Sequence, residues 1–170
     1  MQIKLYCGGK FHFDYLIEKY ELKAKDDYRS NILGDYKLLL EKHQFVSLSE
    51  NIDYIGPFYF ESDGMIDIDI VKFEKTMIEN CTHAIFLLED GLCPGTISEL
   101  IYATLLNKNV NIFYIKYNND KETESTLRSP CWYPMLLSKE LNNTVNIVDC
   151  KSIDDAKMKI RNFVEELKWN

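Results

Sequence analysis

The chain has 170 residues and a mass of 20.0 kDa, with 46% hydrophobic and 28% charged residues, which excludes an intrinsically disordered or low-complexity chain. Twenty Lys and Arg against 27 Asp and Glu leave a formal charge of −7 and a pI near 5.0, the wrong sign for a binder of nucleic-acid polymers or anionic membranes. No apolar run approaches the about 20 residues of a spanning helix, and the length suits one domain over 1–170 whose core buries roughly 70% of the unfolded surface.

Ile3 to Cys7 reads as the first strand and ends at Gly8-Gly9. Tyr28, Ile32, Tyr36, Leu39 and Leu40 repeat at helical spacing, and Phe45 to Leu48 follows as a short strand. Asp53 to Glu61 is aromatic but interrupted by Gly56-Pro57, so it is expected to be a loop or an edge segment. Ile70, Phe73, Met77 and Ile78 are helical, while Ile66 to Asp69 alternates and leaves the start of that helix open. Ala84 to Leu88 and Val110 to Ile115 are continuous apolar runs of the kind buried on both faces of a parallel sheet. Between them Thr96 to Asn107 carries Ile97, Leu100, Ile101 and Leu105 on one helical face. Lys116 to Ser129 is long and charged, a surface loop or a lid. Thr144 to Val148 is the expected last strand, and Ser152 caps a closing helix to Lys168 built on Ile153, Ala156, Ile160, Phe163, Val164 and Leu167.

Alternating strands and helices predict a three-layer, doubly wound α/β fold with a mainly parallel, flavodoxin-like five-stranded sheet and helices on both faces. Ligands of such sheets sit beyond the carboxyl ends of the strands, where the winding direction reverses. That crevice would bring together Gly8-Gly9 and the loop from Glu89 to Gly95. Met1 to Tyr6 enters a strand and lacks the tripartite form of a secretion signal. Five scattered cysteines form no C-x-x-C pair, and the three histidines cluster with none of them, so neither a disulfide framework nor a metal site is expected. A cytoplasmic protein without cofactor is the expectation.

Chemistry concentrates in the segment from Ala84 to Ala103, where a buried strand runs through a turn holding Asp90, Gly91 and Gly95 into a helix carrying Glu99. A carboxylate in a helix's first turn is favoured in its ionised form and is a candidate nucleophile. The competing reading is a capping box, Thr96-x-x-Glu99, in which Glu99 turns back to the Thr96 amide; spacing alone favours the cap. Gly8-Gly9-Lys10 offers backbone amides and one cation for a phosphate, or merely a tight turn. Tyr54, Phe58, Tyr59 and Phe60 can stack on a nucleobase, with core packing the equal alternative for Tyr54 and Phe60. Cys7 and Cys93 are read as small packing residues, and His12 as a partly buried structural histidine.

Gly95-Thr96-x-x-Glu99-x-x-Tyr102-Ala103 followed by Lys108-x-Val110, with the opening Leu5-Tyr6-Cys7-Gly8-Gly9, resembles the signature of the nucleoside 2-deoxyribosyltransferase family and its nucleotide N-hydrolase relatives. The resemblance implies that Glu99 attacks C1′ of a nucleoside or nucleotide as the base departs, forming a glycosyl ester that a second base or water resolves with retention. Tyr6 matches a family tyrosine that orients the glutamate. Gly8, Gly9, Lys10, Phe58, Tyr59, Asp90, Gly95 and Thr96 become the expected substrate contacts. Homo-oligomerisation is implied too, with Trp132 to Met135 as a candidate contact. The chain departs from the family pattern where an aspartate is common ahead of the Gly-Thr pair: Cys93-Pro94 stand there, so Asp90 takes over or sugar recognition differs. The alternatives are a catalytically silent nucleotide-binding module of the same fold and an NAD-cleaving module.

Overall fold

We describe residues 2–9, 28, 29, 32, 45–57, 67–89, 94–115, 133, 136, 137, 140 and 145–169 of a computed structural model, residues 67–70 by their backbone alone. Six strands form one sheet: β1 (Ile3–Gly8), β2 (Val46–Ser49), β3 (Ile52–Gly56), β4 (His83–Glu89), β5 (Asn109–Ile115) and β6 (Val145–Cys150). Their order is β2-β3-β1-β4-β5-β6, parallel throughout except for β2, which runs antiparallel to β3. Three helices have their bounds among the described residues: α1 (Asp67–Asn80), α2 (Pro94–Leu105) and α3 (Ile153–Trp169).

The sheet thus has one strand more than the five expected. The correction falls on Ile52–Gly56, which is a strand seated between β2 and β1 rather than a loop. Its alternation is regular, with Ile52, Tyr54 and Gly56 buried and Asp53 and Ile55 only partly so. The Gly56-Pro57 pair that argued against a strand stands at its end and terminates it. The segment expected from Phe45 becomes the short antiparallel edge, turned back through Glu50-Asn51.

Apolar runs on β4 and β5 make the centre of the core. Ala84 to Leu88 and Val110 with Ile112 to Ile115 are all buried, each large side chain contributing about 1.5–3 kcal/mol of burial. α1 packs on β1, β3 and α2; α2 covers β1, β4 and β5; α3 lies on β5 and β6, where Phe163 meets Phe113 edge-on at 6.1 Å. At the start of α3 the Ser152 hydroxyl accepts from the Asp155 amide at 3.2 Å, and the Asp155 carboxylate accepts from the Lys151 amide at 2.8 Å.

Gly56 ends β3 at φ 145°, where side chains are strained, and a Cβ there would overlap Met77 Sδ of α1. Gly56→Ala is therefore expected to cost about 2–4 kcal/mol in urea unfolding, from overpacking plus backbone strain. A loss below about 0.5 kcal/mol, the range of neutral surface changes, would show that this contact is not formed.

Candidate functional site

From β1 the chain reaches β3 on one side and β4 on the other, so the winding reverses between β1 and β4. These two strands are paired in parallel with Tyr6 opposite Ala84 and Gly8 opposite Phe86. Tyr6 and Gly8 are two residues apart on one strand and face the same way, toward the helices that follow β3 and β4. α2 brings Glu99 to this place and α1 brings Glu74.

Gly8 is the narrowest point. A Cβ built on it would stand 2.9 Å from Glu99 Oε2 and closer still to the edge of the Phe86 ring. The Glu99 carboxylate therefore rests against bare backbone at the carboxyl end of β1. Tyr6 is fully buried and its ring lies 6.2 Å from Phe86, centroid to centroid. Its hydroxyl makes no hydrogen bond of regular geometry among the described residues, although it is close enough to Glu99 for the two groups to perturb each other. A shielded donor left without a regular partner beside a carboxylate is costly in a folded core and characteristic of functional sites.

The start of α2 bears on the capping reading of Glu99. α2 begins at Pro94, two residues before Thr96, so Thr96 lies inside the first turn and cannot be the capping residue. Glu99 is correspondingly in the second turn, not the first, and the capping box does not form. The helix dipole therefore does little to favour an ionised Glu99, because its effect fades beyond the first turn.

Electrostatics instead push Glu99 the other way. Burial, and then the negative charge of Glu74, raise its pKa to about 7, with the Tyr6 hydroxyl and the Arg29 charge opposing. Burial raises Glu74 as well, against the pull of Arg29. Tyr6 is held well above its ordinary value by burial and by the charges of Glu99 and Glu74, and so stays protonated. The arrangement is two carboxyl groups and one phenol donor converging where the sheet reverses.

Behind β1 the backbone is fastened by residues 28 and 29. The fully buried Arg29 donates from Nε to the Cys7 carbonyl at 2.8 Å and from Nη2 to the Gly9 carbonyl at 2.7 Å. The Tyr28 hydroxyl donates to the Gly8 carbonyl at 2.7 Å.

Of the expected contacts, the structure brings Tyr6, Gly8 and Glu99 together, with Gly9 continuing the turn out of β1 at φ 144°. Thr96 is buried in the first turn of α2, and Gly95 is exposed there, with no atom of the described residues within 4 Å of where its Cβ would stand. Lys10, Phe58, Tyr59 and Asp90 lie outside the described residues, as do Phe60, Cys93, His12, Trp132 and 116–129. Tyr54 is fully buried with its hydroxyl on the Pro57 carbonyl at 2.6 Å, which is core packing. Cys7 is buried in the core. His83 starts β4 at the opposite end of the sheet, between Thr82 Oγ1 at 3.0 Å and Asn109 Nδ2 at 3.4 Å.

The family-like residues after Glu99 do structural work at that far end. Tyr102 donates to Glu79 Oε1 and Lys108 Nζ to the Glu79 carbonyl, both at 2.7 Å, clamping the last turn of α1. Glu74 and Arg29 were not singled out from the sequence. For Glu74 a signal existed: it shares the i, i+3, i+4 face with Met77 and Ile78, a carboxylate on the buried side of an amphipathic helix. Arg29 sits in a polar stretch and carries no such signal.

No protein-family model matches the chain, and no curated protein matches it. Among solved structures, the CMP N-glycosidase BcmB of Clostridium botulinum is similar over 55% of this chain and 72% of its own, with 15% identity and a TM-score of 0.42. The translation elongation factor SelB of Methanococcus maripaludis, bound to the GTP analogue GppNHp, matches 97% of this chain and 33% of its own at 14% identity and TM-score 0.51. The FeoB G-domain of Methanococcus jannaschii matches 100% of both chains at 10% identity and TM-score 0.48. The likeness to SelB is one of fold, a mixed α/β chain with a mostly parallel sheet. A phosphate-binding loop of the form G-x-x-x-x-G-K-[S/T] does not occur here: Gly9-Lys10 is followed by Phe11, and Lys4 stands where the first glycine would be.

Because the native state raises the Glu99 pKa from 4.5 to about 7, it holds that proton more tightly than the unfolded chain. The resulting destabilisation is absent at low pH, grows as pH rises through 4.5 to 7, and is complete above. Glu99→Gln is thus expected to exceed the parent chain in stability by roughly 1–3 kcal/mol more at pH 8 than at pH 5. Urea unfolding at the two pH values reads this, and a pH-independent difference would contradict it.

Proposed function

We propose that the chain is an N-glycosidic-bond enzyme acting on a nucleoside or nucleotide, with Glu99 as the nucleophile. The observation that carries the reading is that the Glu99 carboxyl rests on Gly8 beside the Tyr6 hydroxyl and Glu74 instead of folding back on its own helix. We read the parallel strands β3-β1-β4-β5-β6 as a flavodoxin-like sheet, whose reversal point is the usual ligand crevice. The resemblance of Gly95-Thr96-x-x-Glu99 and Leu5 to Gly9 to the deoxyribosyltransferase signature supports the same residue.

Cleavage of a C1′–N bond builds positive charge on the sugar ring. Two carboxyl groups that repel each other in the empty site attract that charge, so their mutual cost is relieved in the transition state and not in the ground state. Ionised Glu99 attacks C1′, the C1′–O ester bond forms, and the C1′–N bond breaks with its electron pair leaving on the base, which takes a proton from the medium. Water, or a second base, then attacks C1′ from the face opposite Glu99 and gives up a proton to the medium, while the C1′–O ester bond breaks with its electron pair returning to Glu99. Tyr6, protonated throughout, would donate to the glutamate oxygen that is not reacting once the two groups come into regular hydrogen-bond geometry, and so hold the other toward the sugar.

Incubation with a panel of ribo- and deoxyribonucleosides, their monophosphates and NAD, followed by chromatography, is expected to show a free base from one class. Glu99→Gln should lower that release by at least about a thousandfold. As Glu99 must be ionised, kcat/KM should rise with pH and level off above an apparent pKa near 7. Undiminished release from Glu99→Gln overturns the assignment, and micromolar binding without release favours the silent binding module.

A further inference from the structure

Residues 28 and 29 hold three successive carbonyls of the turn that leaves β1. Arg29 spans the Cys7 and Gly9 carbonyls at 2.8 and 2.7 Å, and Tyr28 takes the Gly8 carbonyl between them at 2.7 Å. The guanidinium is fully buried and lies 4.8 Å from the centre of the Tyr28 ring. A buried cation costs several kcal/mol in desolvation, and well-packed apolar side chains often serve a core as well. A planar fork with donors at fixed separation is, however, the group able to fasten two carbonyls on either side of one residue. That residue is Gly8, the backbone on which the Glu99 carboxyl rests.

We propose that Arg29 is a positioning residue for Glu99: its fork fixes the backbone on which the carboxyl lies. The proposal rests on Glu99 as the reacting group. Among the described residues the charged or titratable groups acting on Glu99 are Tyr6 from β1, Glu74 from α1 and Arg29 itself, and β4 contributes the uncharged Phe86. Glu74 raises the carboxyl and Arg29 lowers it, so removing the cation leaves only the Tyr6 hydroxyl to oppose the repulsion. Lysine at this position would keep the charge but present a single point donor, which cannot reach both carbonyls in the same geometry.

The two contributions separate in an experiment that needs no turnover. In protein carrying 13C at the glutamate carboxyl carbons, the Glu99 signal is assigned by its loss in Glu99→Gln and titrated by NMR. Arg29→Met is expected to move the midpoint upward from about 7. Arg29→Lys is expected to return it close to the parent value while base release stays at least about tenfold lower, because the fork is lost and the charge is kept. Tyr28→Phe retains Arg29 and should leave the midpoint in place. If Arg29→Met fails to fold, Arg29→Gln, neutral but still a donor, replaces it in the titration.

An unmoved midpoint in the folded neutral variant, whatever its loss of stability, would overturn the proposal, as would parental base release by Arg29→Lys. The titration remains readable in a chain that releases no base. Failure of the parent chain to cleave any substrate thus counts against Glu99 as nucleophile, not against its coupling to Arg29.

Discussion

The site depends on one register: β1 and β4 lie parallel with Gly8 opposite Phe86. That pairing leaves a strip of backbone without a side chain at the point where the winding reverses, and the edge of the Phe86 ring and the Glu99 carboxyl close in on the space a Cβ would take. Tyr6, two residues earlier on the same face, puts its hydroxyl under the same pair of helices. Arg29 and Tyr28 then tie down the carbonyls on the other side of the turn. A shift of β1 by one residue would turn Tyr6 and Gly8 to the opposite face of the sheet and separate all of these groups.

Such a cluster works against the stability of the chain that carries it. Two carboxyl groups, an incompletely satisfied phenol and a buried guanidinium are each expensive away from water. The cost is tolerable because it is confined to one end of a sheet whose β4 and β5 are buried over nearly their whole length. At the other end the polar groups satisfy each other, as in the Tyr102, Glu79 and Lys108 clamp and the contacts of Thr82, His83 and Asn109. Polar conflict is thus gathered at one end of the sheet and polar satisfaction at the other.

How much of this was legible in the sequence follows from the strength of each local signal. β4, β5 and α3 were readable because continuous burial and a regular apolar face leave few alternatives. β3 was not, since Gly56-Pro57 marks an end and an interruption with the same letters, and only the sheet shows which. Thr96-x-x-Glu99 was ambiguous for a related reason: the same four residues form a cap or a second turn depending on whether the helix starts at Pro94 or later. Glu99 and Tyr6 could be nominated from the motif, whereas Tyr102 and Lys108 in the same motif turned out to serve packing. Arg29 bonds carbonyls 20 and 22 positions back along the chain, a relation that no local pattern encodes.

The most direct measurement is the intact mass of the protein during reaction with a 2′-fluoro nucleoside, whose electron-poor sugar slows breakdown of a glycosyl ester. The account requires a mass gain equal to the fluorosugar, carried on the peptide that contains Glu99 and absent from Glu99→Gln. A sugar attached to any other side chain, or base released without a covalent sugar at any time, would contradict it.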